Sequence, residues 1–179
     1  MISGMRYVVL LRGINVGGRV IRMTELTSCL ESLGLQNVVT IAQSGNVIVI
    51  SDLDMPTLKH RVEEALTNAY NYQAHVQVLA MDSLRSILSA YPFKNHDTEH
   101  HDYVVFFENG LETGCIQEIV VDTSLEQLQQ GPGVIYWRVV KGFTLKSPFA
   151  KVLTKAAYKH AVTTRNLRTL QKIIGSAPD

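Results

Sequence analysis

Residues 7–18 read YVVLLRGINVGG, a short apolar run that ends in a glycine-rich turn. Five consecutive apolar residues at the start of this stretch favour a central β-strand, because such a strand is buried on both faces. The glycines that follow favour a turn over a continuing strand. We therefore place the first strand and its exit loop here, and we work outward from them.

The next sixty residues predict two helices and three further strands. In chain order these are a helix with apolar residues at 26, 29, 30 and 33 that Gly34 ends, strands over 38–41 and 47–50 flanking a hairpin turn at 43–46, a helix opened by Asp54-Met55-Pro56, and an edge strand over 74–79. The resulting order, β-α-β-β-α-β, is that of a ferredoxin-like fold. We predict that residues 1–80 form this α+β subdomain.

The second half of the chain predicts a smaller α+β subdomain over 81–179 whose architecture echoes the first. Its expected elements are a helix over 83–91, a strand over 103–107, a helix over 111–120, a hairpin across 131–133 leading into a strand over 134–140, and two basic closing helices over about 148–160 and 164–174. No low-complexity linker separates the halves. We therefore expect them to pack closely.

The predicted topology brings two polar turns together at one end of the first sheet. Strand three neighbours strand one in a ferredoxin-like sheet, so the loop after strand one and the turn between strands two and three should be adjacent. Eight residues of these turns are candidate ligand-binding residues: Arg12, Gly13, Asn15, Gly17, Gly18, Ser44, Gly45 and Asn46. Turn chemistry alone also accounts for these residue types, so a purely structural role stays open.

Three features of this region favour an anionic ligand. Glycines let backbone N–H groups approach a ligand closely and form a concave nest. A helix start offers further unpaired N–H groups and a partial positive charge. Arg12, Arg19 and Arg22 precede that helix, where cations are unfavourable unless an anion compensates them. We expect a phosphate- or carboxylate-bearing metabolite; the residues identify no cofactor and no catalytic group.

Composition indicates a globular protein with a strong charge asymmetry. The chain has 179 residues and a formal net charge of +1, but residues 1–126 hold 8 lysines and arginines against 15 acids, whereas residues 127–178 hold 9 and no acid. Either the two parts pack together and their charges cancel, or the basic part binds an anionic partner. With no secretory leader, no apolar run of membrane length and two lone cysteines, we expect a cytoplasmic address and no membrane contact.

The basic C-terminal segment contains two candidate features. Lys151, Lys155 and Lys159 are spaced to share one helix face, which is either solvated or faces an anion. In the segment 163–166, one threonine is expected to cap the last helix. Arg165 and Asn166 then either pair with the acidic first half or join the ligand site. A nucleic-acid or protein partner on this surface is the competing prediction to the small-ligand site.

Other chemistries find little support in the sequence. The segment 96–102, HDTEHHD, lacks metal-ligand spacing, so we predict an acidic loop and no metal site. Ser44 has no nucleophile-elbow context, and neither cysteine has a context that would activate a thiol. The strand over 47–50 lacks the aromatic residues of an RNA-binding platform, which makes nucleic acid an unfavoured partner.

Three motifs resemble one known family. The nonapeptide LLRGINVGG at 10–18, the QSGN turn at 43–46 and TTRN at 163–166 closely resemble the bacterial family catalogued as domain of unknown function 1697. The resemblance extends over nearly the whole chain. It implies a two-part α+β fold and brings no established activity.

Overall fold

The computed structural model describes residues 4–14, 20–42, 45–93 and 98–177 and divides the chain into two compact units. The first unit comprises 1–86 and 171–179, and the second comprises 87–170. Each unit holds one four-stranded antiparallel sheet. The α+β fold class predicted from the sequence is therefore confirmed.

The first part of the chain forms the predicted β-α-β-β-α-β series followed by one more helix. Its elements are β1 (Met5–Arg12), α1 (Met23–Glu31), β2 (Gln36–Ile41), β3 (Asn46–Ser51), α2 (Met55–Tyr70), β4 (His75–Ala80) and α3 (Met81–Ser89). The strand order is β2-β3-β1-β4, so β3 lies beside β1 as the ferredoxin-like prediction requires. The predicted strand bounds differ from these by at most two residues.

Strand β1 is the central element of this sheet. Tyr7, Val9 and Leu11 belong to the core cluster that includes apolar residues of α1 and α2. On the other face of the strand, Val8 and Leu10 are also fully buried. Burial on both faces explains why the sequence of β1 is continuously apolar instead of alternating.

The helix boundaries follow the capping chemistry that the sequence predicts. At the start of α2, Asp54 Oδ1 accepts a hydrogen bond from Thr57 N at 2.8 Å, and Pro56 occupies the first turn. After α1 the chain turns through Gly34, whose φ of +81° favours glycine. The predicted start of α2 is confirmed, whereas α1 ends at Glu31, three residues before the glycine that was predicted to end it.

The second unit repeats the topology of the first. Its elements are β5 (His100–Phe107), α4 (Leu111–Gln117), β6 (Glu126–Gly131), β7 (Val134–Val140), α5 (Pro148–Leu153) and β8 (Val162–Asn166), and α6 (Leu167–Gly175) follows. The strand order β6-β7-β5-β8 is the same as that of the first sheet when strands are counted within each unit. The predicted echo of the first half is thus confirmed, as is the hairpin across 131–133.

The two predicted closing helices are both present, but their predicted extents are wrong: α6 begins at Leu167, three residues later than predicted, and α5 is only six residues long. Helix α5 ends at Leu153, where Thr154 Oγ1 donates a hydrogen bond to Lys151 O at 2.7 Å, and turns follow as far as 161. The segment 162–166 is an edge strand that pairs with β5. Its β-branched residues Thr163 and Thr164 favour a strand over a helix start. Lys155 and Lys159 therefore do not lie on a helix with Lys151.

The lengths of the helices and the burial of the two cysteines can be compared with the sequence. Within the described ranges, no helix is both long and apolar enough to cross a bilayer. Cys115 is buried in the core of the second unit, and Cys29 packs against the core of the first. Neither forms a disulfide. Cys115 is therefore a small core residue, and Cys29 is partly buried at the edge of its core.

Candidate functional site

The two polar turns meet at the end of β1. Leu11 N donates a hydrogen bond to Gly45 O at 2.7 Å, and Leu10 lies opposite Asn46 in the β1–β3 register. The predicted adjacency of the turns is therefore confirmed for their described residues. Asn15, Gly17, Gly18 and Ser44, which the sequence also nominates, lie outside the described residues.

Gly45 fits into the turn because it has no side chain. Its φ is +72°, and a Cβ placed there would lie 2.5 Å from Ile14 Cδ1 and 2.9 Å from Leu11 Cβ. Both distances are below those that real Cβ atoms show. The hairpin turn and the exit loop of β1 are thus packed at backbone distance, which only glycine allows.

Arg12 and Gly13 form the start of the exit loop. Arg12 is the last residue of β1, is half-buried and lies opposite His75 of β4. Gly13 is exposed with φ +66°, and no atom lies within 4 Å of the position that a Cβ would take. Its backbone is therefore approachable, as a nest residue requires.

Asn46 has a role within the fold. It is fully buried, and its Nδ2 donates a hydrogen bond to Ile41 O at 3.2 Å across the hairpin. Alternation along β1 places Arg12 on the same face as Leu10, the register partner of Asn46. Arg12 and Asn46 are thus diagonal neighbours on one face of the sheet. The orienting role of Asn46 toward a ligand stays a prediction.

Helix α1 begins a few residues after the exit loop. Arg22 occupies its N-cap position in an extended conformation and makes no side-chain capping bond. Arginine cannot accept a hydrogen bond, so it cannot satisfy the first N–H groups as serine or aspartate would. The only acid in the first turn is Glu25. The helix start therefore presents N–H groups beside a cation.

Arg165 and Asn166 lie on β8 of the second unit. Arg165 Nη1 donates to Thr164 O at 3.1 Å. Asn166 Oδ1 accepts from Arg168 N at 2.9 Å in the first turn of α6. Asn166 is thus the capping residue of the last helix, and the prediction of a threonine cap is wrong because both threonines belong to the strand. A ligand-binding role for either residue stays a prediction.

Two cations of the basic segment are paired within the second unit. Lys155 Nζ lies 2.7 Å from Glu118 Oε2, and both side chains are about half exposed. Arg138 is 6% exposed, and its Nε lies 3.9 Å from Asp102 Oδ1. Both acids come from the acidic part of the sequence. These two basic side chains are therefore neutralised by acidic side chains of the same chain, and not by an external partner.

A partly buried polar network surrounds Asp102, and no local sequence pattern indicates it. Tyr91 Oη donates to Asp102 Oδ1 at 2.8 Å, beside Arg138. Burial, followed by the hydrogen bond to Asp102, raises the pKa of Tyr91 far above its ordinary value. The predicted acidic loop over 96–102 is wrong from residue 100 onward, because His100 begins β5. Asp102 faces Arg138 across the β5–β7 ladder, a pairing that only the strand register determines.

No metal centre is found among the residues that the structure describes: no three His, Cys, Asp or Glu side chains are grouped to hold an ion. His100 and His101 lie on β5, and His101 packs against Tyr103 with ring centroids 5.9 Å apart. His96 and Asp97 lie outside the described residues.

Tyr158 provides a testable titration in the second unit. Its hydroxyl donates to Glu118 Oε1 at 2.6 Å, and this bond raises the pKa of Tyr158 to about 12. We expect Glu118→Gln to lower the pKa of Tyr158 toward its ordinary value of about 10, because the charged acceptor is lost. An ultraviolet absorbance titration of tyrosine ionisation measures the change.

The raised pKa of Tyr158 makes the stability of the protein depend on pH in the alkaline range. Because the folded-state pKa of Tyr158 exceeds the unfolded one, the stabilisation is fully present below pH about 10 and is lost as the pH rises through about 12. Tyr158→Phe assigns the titration step. Identical titration curves for the wild type and Glu118→Gln would contradict the assignment.

Comparisons with known proteins agree with the two-unit α+β fold. The conserved bacterial protein SP0830 from Streptococcus pneumoniae has a solved structure with a TM-score of 0.79 and 26% sequence identity, covering 97% of this chain and 98% of that one. An unknown protein from Galdieria sulphuraria has a TM-score of only 0.28 and 12% identity, over 92% of this chain and 98% of that one. Among curated proteins, none is significantly similar to this chain.

The family comparison covers most of the chain. The model of the family described as "Protein of unknown function (DUF1697)" matches residues 5–136, which include β1, its exit loop and the β2–β3 turn. More than half of the chain is matched. The chain therefore belongs to the DUF1697 family of proteins of unknown function.

Proposed function

We propose that the exit loop of β1 and the β2–β3 turn bind a small anionic ligand bearing a phosphate or carboxylate group. The observation that carries this proposal is the backbone-distance packing of the two turns, with Leu11 N bonded to Gly45 O at 2.7 Å. This packing fixes the position at which Arg12 and Gly13 leave the strand. Backbone that is already held in place at these two residues loses little entropy when a ligand binds.

The charges and dipoles of the loop favour an anion. Arg12 is half-buried, where its attraction for an anion is screened less than in open water. Gly13 is exposed and has space around it for a ligand to approach its backbone. The start of α1 contributes partial positive charge with no side-chain cap from Arg22. The guanidinium group, the exposed backbone and the helix start would each attract an anion.

The remaining nominated residues supply orientation in this proposal. Asn15 and Ser44 would donate or accept hydrogen bonds, and Gly17 and Gly18 would present backbone N–H groups. The proposal is confined to the first unit and needs neither Arg165 nor Asn166. The free thiols of Cys29 and Cys115 suit a reducing compartment, so we take the ligand to be a cytoplasmic metabolite.

Arg12→Ala tests the proposal in a thermal-shift screen of nucleotides, sugar phosphates and metabolite acids. A ligand at 100 times its Kd should stabilise the wild type by about 2.7 kcal/mol, which is roughly 5–10 °C for a chain of this length. Arg12→Ala should lose most of this shift because the charge-assisted hydrogen bonds to the anion are removed.

The matched control is Arg61→Ala, which removes an exposed arginine from α2 of the same unit. It should retain the full ligand-induced shift. If no ligand stabilises the wild type more than Arg12→Ala, or if Arg61→Ala loses the shift equally, the site assignment should be abandoned.

A further inference from the structure

A second concave site lies elsewhere in the first unit. A cavity of about 350 Å³ opens between the start of β1 and the start of α3, lined by Met5, Arg6, Ala80, Met81, Asp82 and Arg85. This volume is at the lower end of the range of small-molecule pockets. Its wall combines two guanidinium groups with the side chains of two methionines and an alanine. Such a wall suits a ligand with one charged end and a short apolar body.

Arg6 is the most informative residue of this wall. Its Nε is buried, and within the described part of the chain it has no hydrogen-bond partner. A buried N–H donor without a partner costs about 1–3 kcal/mol, and more when the group is charged. The fold therefore keeps a cationic donor at the cavity without satisfying it. Because this atom is shielded from solvent, a ligand in the cavity removes this cost when the Arg6 side chain rotates to meet it.

Arg85 provides a second cation, whose present ion pair is weak enough to be replaced by a ligand. Its Nη1 lies 3.1 Å from Asp82 Oδ1, and the side chains of Arg85 and Asp82 are 45% and 92% exposed. An exposed ion pair of this kind is worth little, about 0.2–1 kcal/mol. Arg85 can therefore exchange Asp82 for a ligand at small cost. Asp82 competes with the ligand for the same guanidinium group.

The charge of the wall selects the class of ligand. Arg6 and Arg85 contribute two positive charges and Asp82 one negative charge, which leaves a net charge of +1. A monoanion neutralises this charge, whereas a phosphate monoester, at about −1.5 to −2, exceeds it. The planar fork of arginine also matches a carboxylate. We propose that this cavity binds a small monocarboxylate with a short apolar chain.

This site is separate from the one proposed at the glycine turn. Arg6 and Arg12 are six residues apart on β1, which corresponds to about 20 Å along an extended strand. The two sites use different arginines and can succeed or fail independently. Arg12→Ala should leave binding at this cavity unchanged.

Nuclear magnetic resonance titration of the full chain tests the proposal, with sodium hexanoate as the probe. We expect hexanoate to shift the backbone amide signals of Arg6, Met81 and Arg85 in a saturable way. At the same concentrations, neutral 1-hexanol and inorganic phosphate should cause no saturable change in these amide signals. Arg6→Gln should raise the Kd for hexanoate about tenfold or more, because a charge-assisted hydrogen bond is lost.

Two further variants separate ligand binding from a structural role. Arg85→Gln should raise the Kd for hexanoate severalfold, whereas Asp82→Asn should lower it by up to about fivefold because Arg85 is released. Arg61→Gln is the matched control and should change nothing. A purely structural role for these residues predicts no gain in affinity from Asp82→Asn.

Several outcomes would overturn the proposal. They are an unchanged Kd in Arg6→Gln, equal binding of 1-hexanol, saturation by phosphate without a response to hexanoate, and an unchanged or raised Kd in Asp82→Asn. Arg6→Gln should fold, since the Nε that it removes has no partner among the residues that the structure describes. If it does not, Arg85→Gln and Asp82→Asn decide the question, because they alter only an exposed pair.

Discussion

Glu126→Ala should lower the free energy of unfolding by about 4 kcal/mol, since it removes the acceptor of two buried charge-assisted hydrogen bonds. Glu126 is 2% exposed at the start of β6. Its Oε2 accepts from Trp137 Nε1 at 3.0 Å, and its Oε1 accepts from Phe149 N at 2.9 Å. After substitution both N–H groups would be left buried without a partner.

The position of Phe149 explains why this carboxylate is stabilising. Phe149 lies in the first turn of α5, where backbone N–H groups have no partner within the helix and the helix dipole favours negative charge. Ser147 Oγ accepts from Ala150 N at 3.2 Å, so Ser147 and Glu126 together satisfy this turn. Trp137 and Phe149 also pack edge to face, 5.2 Å apart. Glu126 thus joins β7 to α5 within one core.

Denaturant unfolding monitored by fluorescence measures this effect directly, because Trp137 is the only tryptophan in the sequence. Glu126→Gln retains one carbonyl acceptor and should show roughly half the loss. Gln129→Ala, at an exposed position of the same strand, should stay within about 0.5 kcal/mol of the wild type. A Glu126→Ala variant as stable as Gln129→Ala would contradict the assigned role.

Glu126 also illustrates what the sequence could not predict. The segment EQLQQG is polar, and nothing in it indicates that its first residue is buried. The two donors that bind Glu126 lie 11 and 23 residues further along the chain. The sequence could not predict the Arg6 cavity either, because Arg6 and Arg85, which both line it, are about eighty positions apart in the chain. Such pairings depend on strand register and helix placement, which composition and periodicity do not determine.

Elements with a strong local pattern were predicted well. The apolar run of β1, the aspartate and proline at the start of α2, and the glycines around 132 each contain their own structural signal. The closing segment was not, because lysines at helical spacing over 151–159 fit a helix that in fact ends at Leu153. Thr163 and Thr164 fit a cap or a strand equally well by sequence.

The candidate site at the glycine turn was predicted through topology. Once β3 was placed beside β1, the adjacency of the two turns followed, and the Leu11–Gly45 hydrogen bond confirms it. The sequence could not show that Asn46 is fully buried and bonded to Ile41 O. An asparagine in a turn is as compatible with a ligand contact as with a backbone bond.

Gly45→Ala should destabilise the chain by about 3 kcal/mol, the second large effect that we expect. The substitution combines two costs: the left-handed conformation at φ +72°, and a new Cβ only 2.9 Å from Leu11 Cβ and 2.5 Å from Ile14 Cδ1. The first cost is about 1–2 kcal/mol, and overpacking adds about 1–3 kcal/mol. Ile14 Cδ1 can rotate away, but Leu11 Cβ is fixed to a central strand and cannot. Denaturant unfolding measures the sum.

Gly13→Ala is the matched control, since it isolates the conformational cost. Gly13 has nearly the same φ, +66°, and open space where its Cβ would lie, so we expect a loss of only about 1 kcal/mol. The difference between the two variants then measures the packing of the turns. A Gly45→Ala variant no less stable than Gly13→Ala would mean that the turns are not packed at backbone distance. Because that packing fixes where Arg12 leaves β1, such a result would also remove the main support for a ligand site there.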